Sequence, residues 1–238
     1  MKQTTESMVL SQAVEDYIKS IYILETEGES GTGVSTTRIA EALQISSASV
    51  TNMVKKLDGL GLLRYESYRG VQLTETGRKI ALEIVRHHRL LELYLKEVMG
   101  YSWDEVHAEA EKLEHHISEQ FEERIAELLD HPTHDPHGDP IPSKDGVMPE
   151  MAHRSLAEVP PREEVILGRV TNQEPELLRY LETIGLLPGV GLEVLKKEPL
   201  EGPITLRVGE HQQVIAHSIA RSLFVLATPD LPESESVT

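Results

Sequence analysis

Glu111, Glu114 and His115 stand in the run Glu111-Lys112-Leu113-Glu114-His115, at positions i, i+3 and i+4. Helical spacing puts the three side chains on one face, pointing the same way. Two carboxylates and an imidazole within one turn are costly unless a positive charge sits among them, and a divalent cation is the simplest such charge. His107 falls four residues before Glu111, and His88 falls four before Glu92. Each pair again shares a helix face, so two segments carry side chains of metal-ligand type.

These segments belong to a chain of 238 residues, enough for one large domain or two to three small ones, and 39% hydrophobic content permits a core. There is no Cys, which excludes a disulfide scaffold, a thiolate zinc site and a cysteine nucleophile, and fits a reducing cytoplasm. The first residues lack the apolar centre of a signal peptide, and no apolar run approaches the roughly 20 residues of a membrane span. The expectation is a cytoplasmic protein with no membrane association. The formal net charge of −17 argues at first against nucleic acid, but DNA binding depends on local charge. Arg38, Lys55, Lys56, Arg64 and Arg69 cluster in one stretch, while the acidic surplus collects in 104–130 and at the C-terminus. An acidic surface also simply keeps a protein soluble.

Periodicity predicts a helix over 8–26, from Val9, Leu10, Val14, Ile18, Ile21, Tyr22 and Leu24, broken by Gly28–Gly33. Ser35-Thr36-Thr37 offers a cap for a short helix with Ile39, Ala40 and Leu43. A third helix follows Ile45-Ser46-Ser47, with Val50, Met53, Val54 and Leu57 inward, and ends at Gly59 and Gly61. Leu62–Glu66 and Gly70–Leu73 read as strands around a Tyr68-Arg69-Gly70 tip. Three helices and a β-hairpin make a winged helix-turn-helix. A long helix is expected from Thr74 to about Met99, and another from Ser102 to about Leu129. The Pro- and Gly-rich stretch 130–161 reads as a linker with little regular structure. Beyond it, strands at 165–167, 192–197, 204–208, 214–215 and 223–227, with a helix over 176–184, suggest a small β-barrel.

In a helix-turn-helix the N-terminal residues of the second helix meet base edges. Here they are Ser46, Ser47, Ala48, Ser49, Thr51 and Asn52, small or hydroxylated enough for close approach. Asn52 suits an adenine edge and the Ala48 methyl a thymine methyl. Arg38, Lys55 and Arg69 suit phosphates. Ser46 and Ser47 equally suit capping, which is compatible with base contact.

Several runs together resemble the diphtheria toxin repressor family of metal-dependent transcriptional regulators, in its manganese transport regulator-like branch. They are Glu15-Asp16-Tyr17-Ile18-Lys19-Ser20-Ile21-Tyr22, Arg38–Leu43, Ser49–Leu57, Tyr68-Arg69-Gly70, Leu73–Gly77, His88–Glu92, Glu111–His116 and Gly138-Asp139-Pro140-Ile141-Pro142. The resemblance implies a mainly α protein with a small β domain: a winged helix-turn-helix over 1–75, a helical metal-binding and dimerisation domain over 76–142, a linker over 143–162, a C-terminal SH3-like β-barrel over 163–228 and a disordered tail over 229–238. It implies a primary metal site of Asp16, Glu111, Glu114 and His115, and an ancillary site of His88, Glu92, His107 and Glu174. The ancillary site's last ligand, a Gln in the family, falls at Leu177. Iron-favouring members place Met at the Asp16 position and Cys at the Glu111 position; carboxylates there suit Mn²⁺ or Fe²⁺. Manganese regulators with two domains carry a second carboxylate where this chain has Lys19, which speaks against their paired-ion site. The remaining His116, His131, His134 and His137 are expected at solvent or in the linker.

The expected mechanism is a homodimer, contacting through residues such as Leu90, Leu91, Leu95 and Val98, that represses metal-uptake genes. Metal joining Asp16 to the distant acidic cluster favours the DNA-competent arrangement. Two reading heads imply double-stranded palindromic operator DNA. A winged-helix regulator answering to an organic effector without metal is the competing reading, and stoichiometric metal binding separates the two. No further acid–base constellation or nucleophile motif points to an enzyme.

Overall fold

The structure is a computed structural model describing residues 10–28, 32–149 and 151–227. The tail expected over 229–238, and Val9, lie outside the described residues. The described residues divide into two compact units: those within 1–88, 113–118 and 142–147 form the first, and those within 89–112, 119–141 and 148–227 the second.

The first unit holds α1 (Gln12–Glu27), α2 (Thr36–Ala42), α3 (Ser47–Gly59), β1 (Leu63–Glu66), β2 (Gly70–Leu73) and the first half of α4 (Glu75–Glu97). Ser35 Oγ accepts the Arg38 amide and Ser46 Oγ the Ser49 amide, so both helices start at the serine caps that the sequence offers. Ile18, Ile21, Ile39, Val50, Val54 and Leu57 interlock as its core. The wing is an antiparallel ladder pairing Leu63 with Leu73 and Glu66 with Gly70, and Val34 adds a bridge to Val71. Gly77 opens α4 against the turn before the wing; a Cβ there would come within 2.0 Å of the Leu62 carbonyl oxygen.

The second unit contains the end of α4, most of α5 (Val106–Leu113), α6 (Glu119–Leu128) and an antiparallel sheet in the order β3-β8-β4-β5-β6-β7. The strands are β3 (Arg154–Ser155), β4 (Glu164–Val170), β5 (Gly191–Lys197), β6 (Ile204–Val208), β7 (His211–Ile215) and β8 (Leu223–Ala227). Register shifts in β4 and β5 bend this small SH3-like sheet around its core. α7 (Pro175–Thr183) starts with Pro at its first turn and buries Leu178 and Leu181. A four-residue helix, α8 (His217–Ala220), precedes β8. No helix among the described residues is long and apolar enough to cross a membrane.

Three expectations need correction. The helix expected over 102–129 is two helices, because residues 114–118 leave the helical path; Glu114 and His115 therefore sit in the turn after α5. Ser118, a favoured N-cap type, immediately precedes α6. The linker expected over 143–162 contributes β3 and a 3₁₀ turn, Leu156–Glu158, whose Leu156 is part of the sheet's core. Finally Asp135–Pro142, within the 130–161 stretch read as a linker, is buried. Gly138 makes this possible: its φ of +85° and missing Cβ let the loop lie on the Gly168 carbonyl oxygen of β4. Trp103 shares the apolar core of the sheet, and its indole Nε1–H donates to the Pro136 carbonyl at 3.0 Å.

Candidate metal centres and DNA-reading face

In the first unit α1 presents Glu15 and Asp16 to the turn that carries Glu114 and His115. The His115 side chain is only 2% exposed. Its Nδ1 lies 2.7 Å from Glu15 Oε2, which holds the proton on that nitrogen and leaves the Nε2 lone pair available. Nε2 is 2.8 Å from Asp16 Oδ1 and 3.3 Å from Glu114 Oε1. It nevertheless makes no hydrogen bond. A buried imidazole nitrogen with two carboxylate oxygens drawn to within 3.3 Å is the geometry of ligands around a shared cation. The oxygens and the nitrogen match what a hard divalent ion takes, so the residues fit a metal.

Glu114 is fully buried and has its own partners. Lys19 Nζ donates to both its oxygens, at 2.7 and 3.0 Å, and His88 Nδ1 lies 2.5 Å from Oε2. Burial alone would raise the Glu114 carboxyl pKa; the His88 hydrogen bond and the Lys19 charge outweigh it and hold the group below the usual carboxylate range.

A second cluster lies within the second unit. Glu92, Asp135 and His137 each offer one ligand atom, all within 4.8 Å of one another, and all three residues are buried. His137 stacks on Trp103, 5.5 Å between centroids, and its Nε2 lies 3.3 Å from the Trp103 carbonyl oxygen. That contact leaves Nδ1 as the ligating atom; it makes no hydrogen bond and faces Glu92 Oε2 at 3.8 Å. The other Glu92 oxygen is 3.0 Å from His107 Nδ1. Asp135 Oδ1 accepts the amides of His137 and Asp139 and shapes the loop, while Oδ2 faces Arg89.

The structure thus brings Asp16, Glu114 and His115 together, and Glu92 with His107. Glu111 is half-exposed near the end of α5, 3.8 Å from His107 Nε2. His88, one turn before Glu92 on α4, turns Nδ1 to Glu114. Glu174 is exposed at the N-terminus of α7 and Leu177 is half-buried beside the sheet's core. His116, His131 and His134 are exposed, but His137, expected at solvent or in the linker, is fully buried; the Pro-Gly composition around it marked a turn and concealed a packed one. Sequence reasoning also passed over Glu15 and Asp135 as metal-site residues. The signal for Glu15 was its place beside Asp16; for Asp135 and His137 it was their i, i+2 spacing.

On the reading face Ser46, Ser47, Ala48, Ser49, Asn52 and Lys55 are exposed along the start and outer side of α3, and Arg38 on α2 is exposed too. Ser46 and Ser49 are engaged in the cap, hydroxyl to hydroxyl at 2.9 Å, and Thr51 Oγ1 donates to the Ser47 carbonyl. Arg69 at the wing tip is exposed, 3.4 Å from Glu66.

A winged helix whose first helix supplies a ligand to a carboxylate–imidazole cluster defines a DNA-binding regulator governed by a cation. Comparison with known proteins supplies the family. Residues 9–71 match the "Iron dependent repressor, N-terminal DNA binding domain", residues 74–143 the "Iron dependent repressor, metal binding and dimerisation domain", and residues 154–227 the "FeoA domain". The chain is 34% identical over 229 residues to the iron-dependent repressor IdeR of Mycobacterium tuberculosis (strain ATCC 25618 / H37Rv), covering 91% of this chain and 97% of that protein. It is 43% identical over 118 residues to the HTH-type transcriptional regulator MntR of Geobacillus kaustophilus, 49% of this chain and 80% of that one. A solved structure, "Manganese-dependent transcriptional repressor complex with manganese", aligns with a TM-score of 0.82 at 34% identity, over 90% of this chain and all of that one. The chain belongs to the iron-dependent repressor family of metal-dependent, DNA-binding transcriptional regulators.

Proposed function

We propose that this chain is a cytoplasmic, homodimeric repressor of metal-uptake genes that senses Mn²⁺ or Fe²⁺ and binds palindromic double-stranded operator DNA. Asp16, Glu111, Glu114 and His115 hold the sensed ion. The observation that carries this reading is His115 Nε2: buried, without a hydrogen bond, its other nitrogen fixed by Glu15, and two carboxylate oxygens within 3.3 Å. Oxygen ligands with one imidazole favour Mn²⁺ or Fe²⁺ chemically; affinity order alone would favour later metals, so cellular supply completes the choice. The bound ion neutralises carboxylates on α1 and on the 113–118 turn, and holds α1 with the helices packed on it in the DNA-competent arrangement. DNA reciprocally tightens the metal. The sites are read as structural switches and the protein as a regulator, not a catalyst.

A second ion is proposed at Glu92, with His137, Asp135 and His107 around it. The ancillary set expected from the resemblance, His88, Glu92, His107 and Glu174, belongs to this proposal; Glu92 Oε1 lies 3.0 Å from His107 Nδ1, and Glu174 is exposed. Base contacts are assigned to the start of α3, through Ser46, Ser47, Ala48, Ser49, Thr51 and Asn52, and phosphate contacts to Arg38, Lys55 and Arg69. Leu90, Leu91 and Leu95 are core residues of the protomer, which removes them from the dimer contact. Val98, Met99, Phe121 and Leu128 are exposed apolar side chains of the segment matching the dimerisation domain, and are proposed as the face for a second copy.

The test is operator binding at buffered free Mn²⁺, Fe²⁺, Co²⁺ and Zn²⁺. Mn²⁺ or Fe²⁺ is expected to tighten binding at least tenfold. Affinity indifferent to every metal, with no metal taken up in calorimetry, overturns the proposal in favour of an organic effector.

A further inference from the structure

α4 carries two histidines in succession, His87 and His88, and both are buried. Neighbours on a helix point about 100° apart, so the two rings leave α4 in different directions. Both nevertheless end on one residue. His88 Nδ1 lies 2.5 Å from Glu114 Oε2, and His87 Nδ1 lies 3.2 Å from the Glu114 carbonyl oxygen. One ring holds the side chain of Glu114 and the other its main chain. Of the two, only His88 belongs to a metal site expected from the sequence.

The main-chain contact falls where the chain needs it. Glu114 is the first residue after α5, and its carbonyl would accept the Ser118 amide if the helix ran on. Residues 114–118 turn away instead, and His115 comes to face Asp16. A buried carbonyl outside the helical ladder needs a donor from elsewhere. His87 supplies one, as basic side chains do at helix C-termini. A carbonyl only accepts, so Nδ1 carries a proton of this ring. The bond spans 27 residues of chain, from a long helix to a short turn. It fixes the peptide plane that joins Glu114 to His115, whose Oε1 and Nε2 face each other at 3.3 Å.

We propose that His87 is a positioning residue for the ion held by Glu114 and His115: its Nδ1–H locks the peptide between them and sets the spacing of both ligands before an ion arrives. His87 acts through that peptide and does not ligate. The proposal rests on the metal-dependent reading above.

The experiment separates the two nitrogens of the ring. Asn carries its amide nitrogen where Nδ1 stands, and Gln carries one where Nε2 stands. Full-length His87→Asn and His87→Gln are titrated with Mn²⁺ by calorimetry, their metal-free fold checked by thermal melting. His87→Asn is expected to stay within about threefold of the unaltered affinity and His87→Gln to lose about tenfold, both at unchanged stoichiometry. Equal affinities in the two folded variants overturn the proposal. A second measurement needs neither metal nor variant. Imidazole nitrogen shifts of the metal-free protein are expected to show His87 protonated at Nδ1, and a ring lacking that proton overturns the proposal even if neither variant folds. Failure of the underlying reading looks different: no Mn²⁺ is taken up although the His87 ring carries its Nδ1 proton, and the proposal falls with that reading.

Discussion

The two carboxylate–histidine clusters use the same residue types and meet the charge problem differently. In the first, Glu114 and the His115 ring are buried, but the Asp16 side chain is 40% exposed and an ammonium is built in. In the second, Glu92, Asp135 and His137 are all buried, and Arg89 lies 3.8 Å from Asp135. The consequence shows in their protonation. Glu114 is held below the usual carboxylate range despite its burial. The Asp135 carboxyl is pushed well above that range by burial, with the Glu92 and Asp139 charges adding to it. Burial pulls the His137 pKa down, but the facing Glu92 more than offsets this and the net direction is up. In the first cluster Glu114 is thus favoured as the carboxylate, and Asp16 gives the cluster an exposed edge through which a sensor can exchange its ion. In the second, burial favours the protonated form of Asp135 and the facing Glu92 that of His137, so an ion there competes with protons, which suits a structural metal.

The largest expected effect breaks this comparison if it fails. His115→Ala or Glu114→Gln should abolish most Mn²⁺-dependent gain in operator affinity, about a hundredfold, since each removes a ligand that joins α1 to the turn. Glu92→Gln should cost no more than about tenfold in the same assay and act mainly on the metal-induced rise in melting temperature. Equal losses at both clusters would show that they do not divide the work. Fluorescence-anisotropy titrations with operator DNA, paired with thermal melts, read both quantities.

A pH series sharpens the contrast. A folded-state pKa above the unfolded one, as for His137 and Asp135, gives stability that is present below the unfolded value and lost as pH rises through the folded one. The metal-free protein therefore loses the second cluster's contribution on going alkaline, while Mn²⁺ affinity there grows as the protons leave. The Mn²⁺-induced shift in melting temperature should rise by several degrees between about pH 6 and 8, and Glu92→Gln should flatten that rise. Glu114 does not act in this window. Its lowered pKa gives stability that is present above the unfolded carboxyl value, about 4.3, and lost only as pH falls through the folded one. An increment independent of pH, with Mn²⁺ bound, would contradict the assignment of protons to the second cluster.

The first unit was largely legible in the sequence and the second much less so. Serine caps and apolar periodicity marked α2 and α3, because local hydrogen bonds and one buried face decide those helices. The helical-face argument for Glu111, Glu114 and His115 reached the right cluster through a local structure that is only half present. Glu114 leaves the helix for a buried ion pair with Lys19, 95 residues away in sequence. No periodicity reports such a pairing. The loop at 135–141 was hidden for the same reason. Its Pro and Gly content announces turns, whereas its burial depends on Trp103, on Gly138 lying against β4 and on the Val170 amide donating to the His137 carbonyl.

The smallest expected effect concerns how the first cluster reaches the reading head. Glu25, nine residues after Asp16 on α1 and so about 13 Å along its axis, is 11% exposed. One oxygen accepts the Leu73 amide of β2 at 2.8 Å, and the other accepts from Arg78 in the first turn of α4 at 2.6 Å. Arg78 also lies over the Tyr22 ring, 5.6 Å from its centroid. α1 is thereby bolted to the wing at one end while its other end carries the metal ligand. Glu25→Gln keeps the bond from the Leu73 amide and removes the charge that holds Arg78. It should lower stability by about 1 kcal/mol and leave Mn²⁺ stoichiometry unchanged. The Mn²⁺-dependent gain in operator affinity should shrink about threefold, which corresponds to about 0.65 kcal/mol of coupling. If the full gain survives in Glu25→Gln, the ion does not act on the wing through this bolt. The work of the first cluster then runs through the packing of α1 on α2 alone, where Ile18, Ile21 and Ile39 are the side chains to alter next.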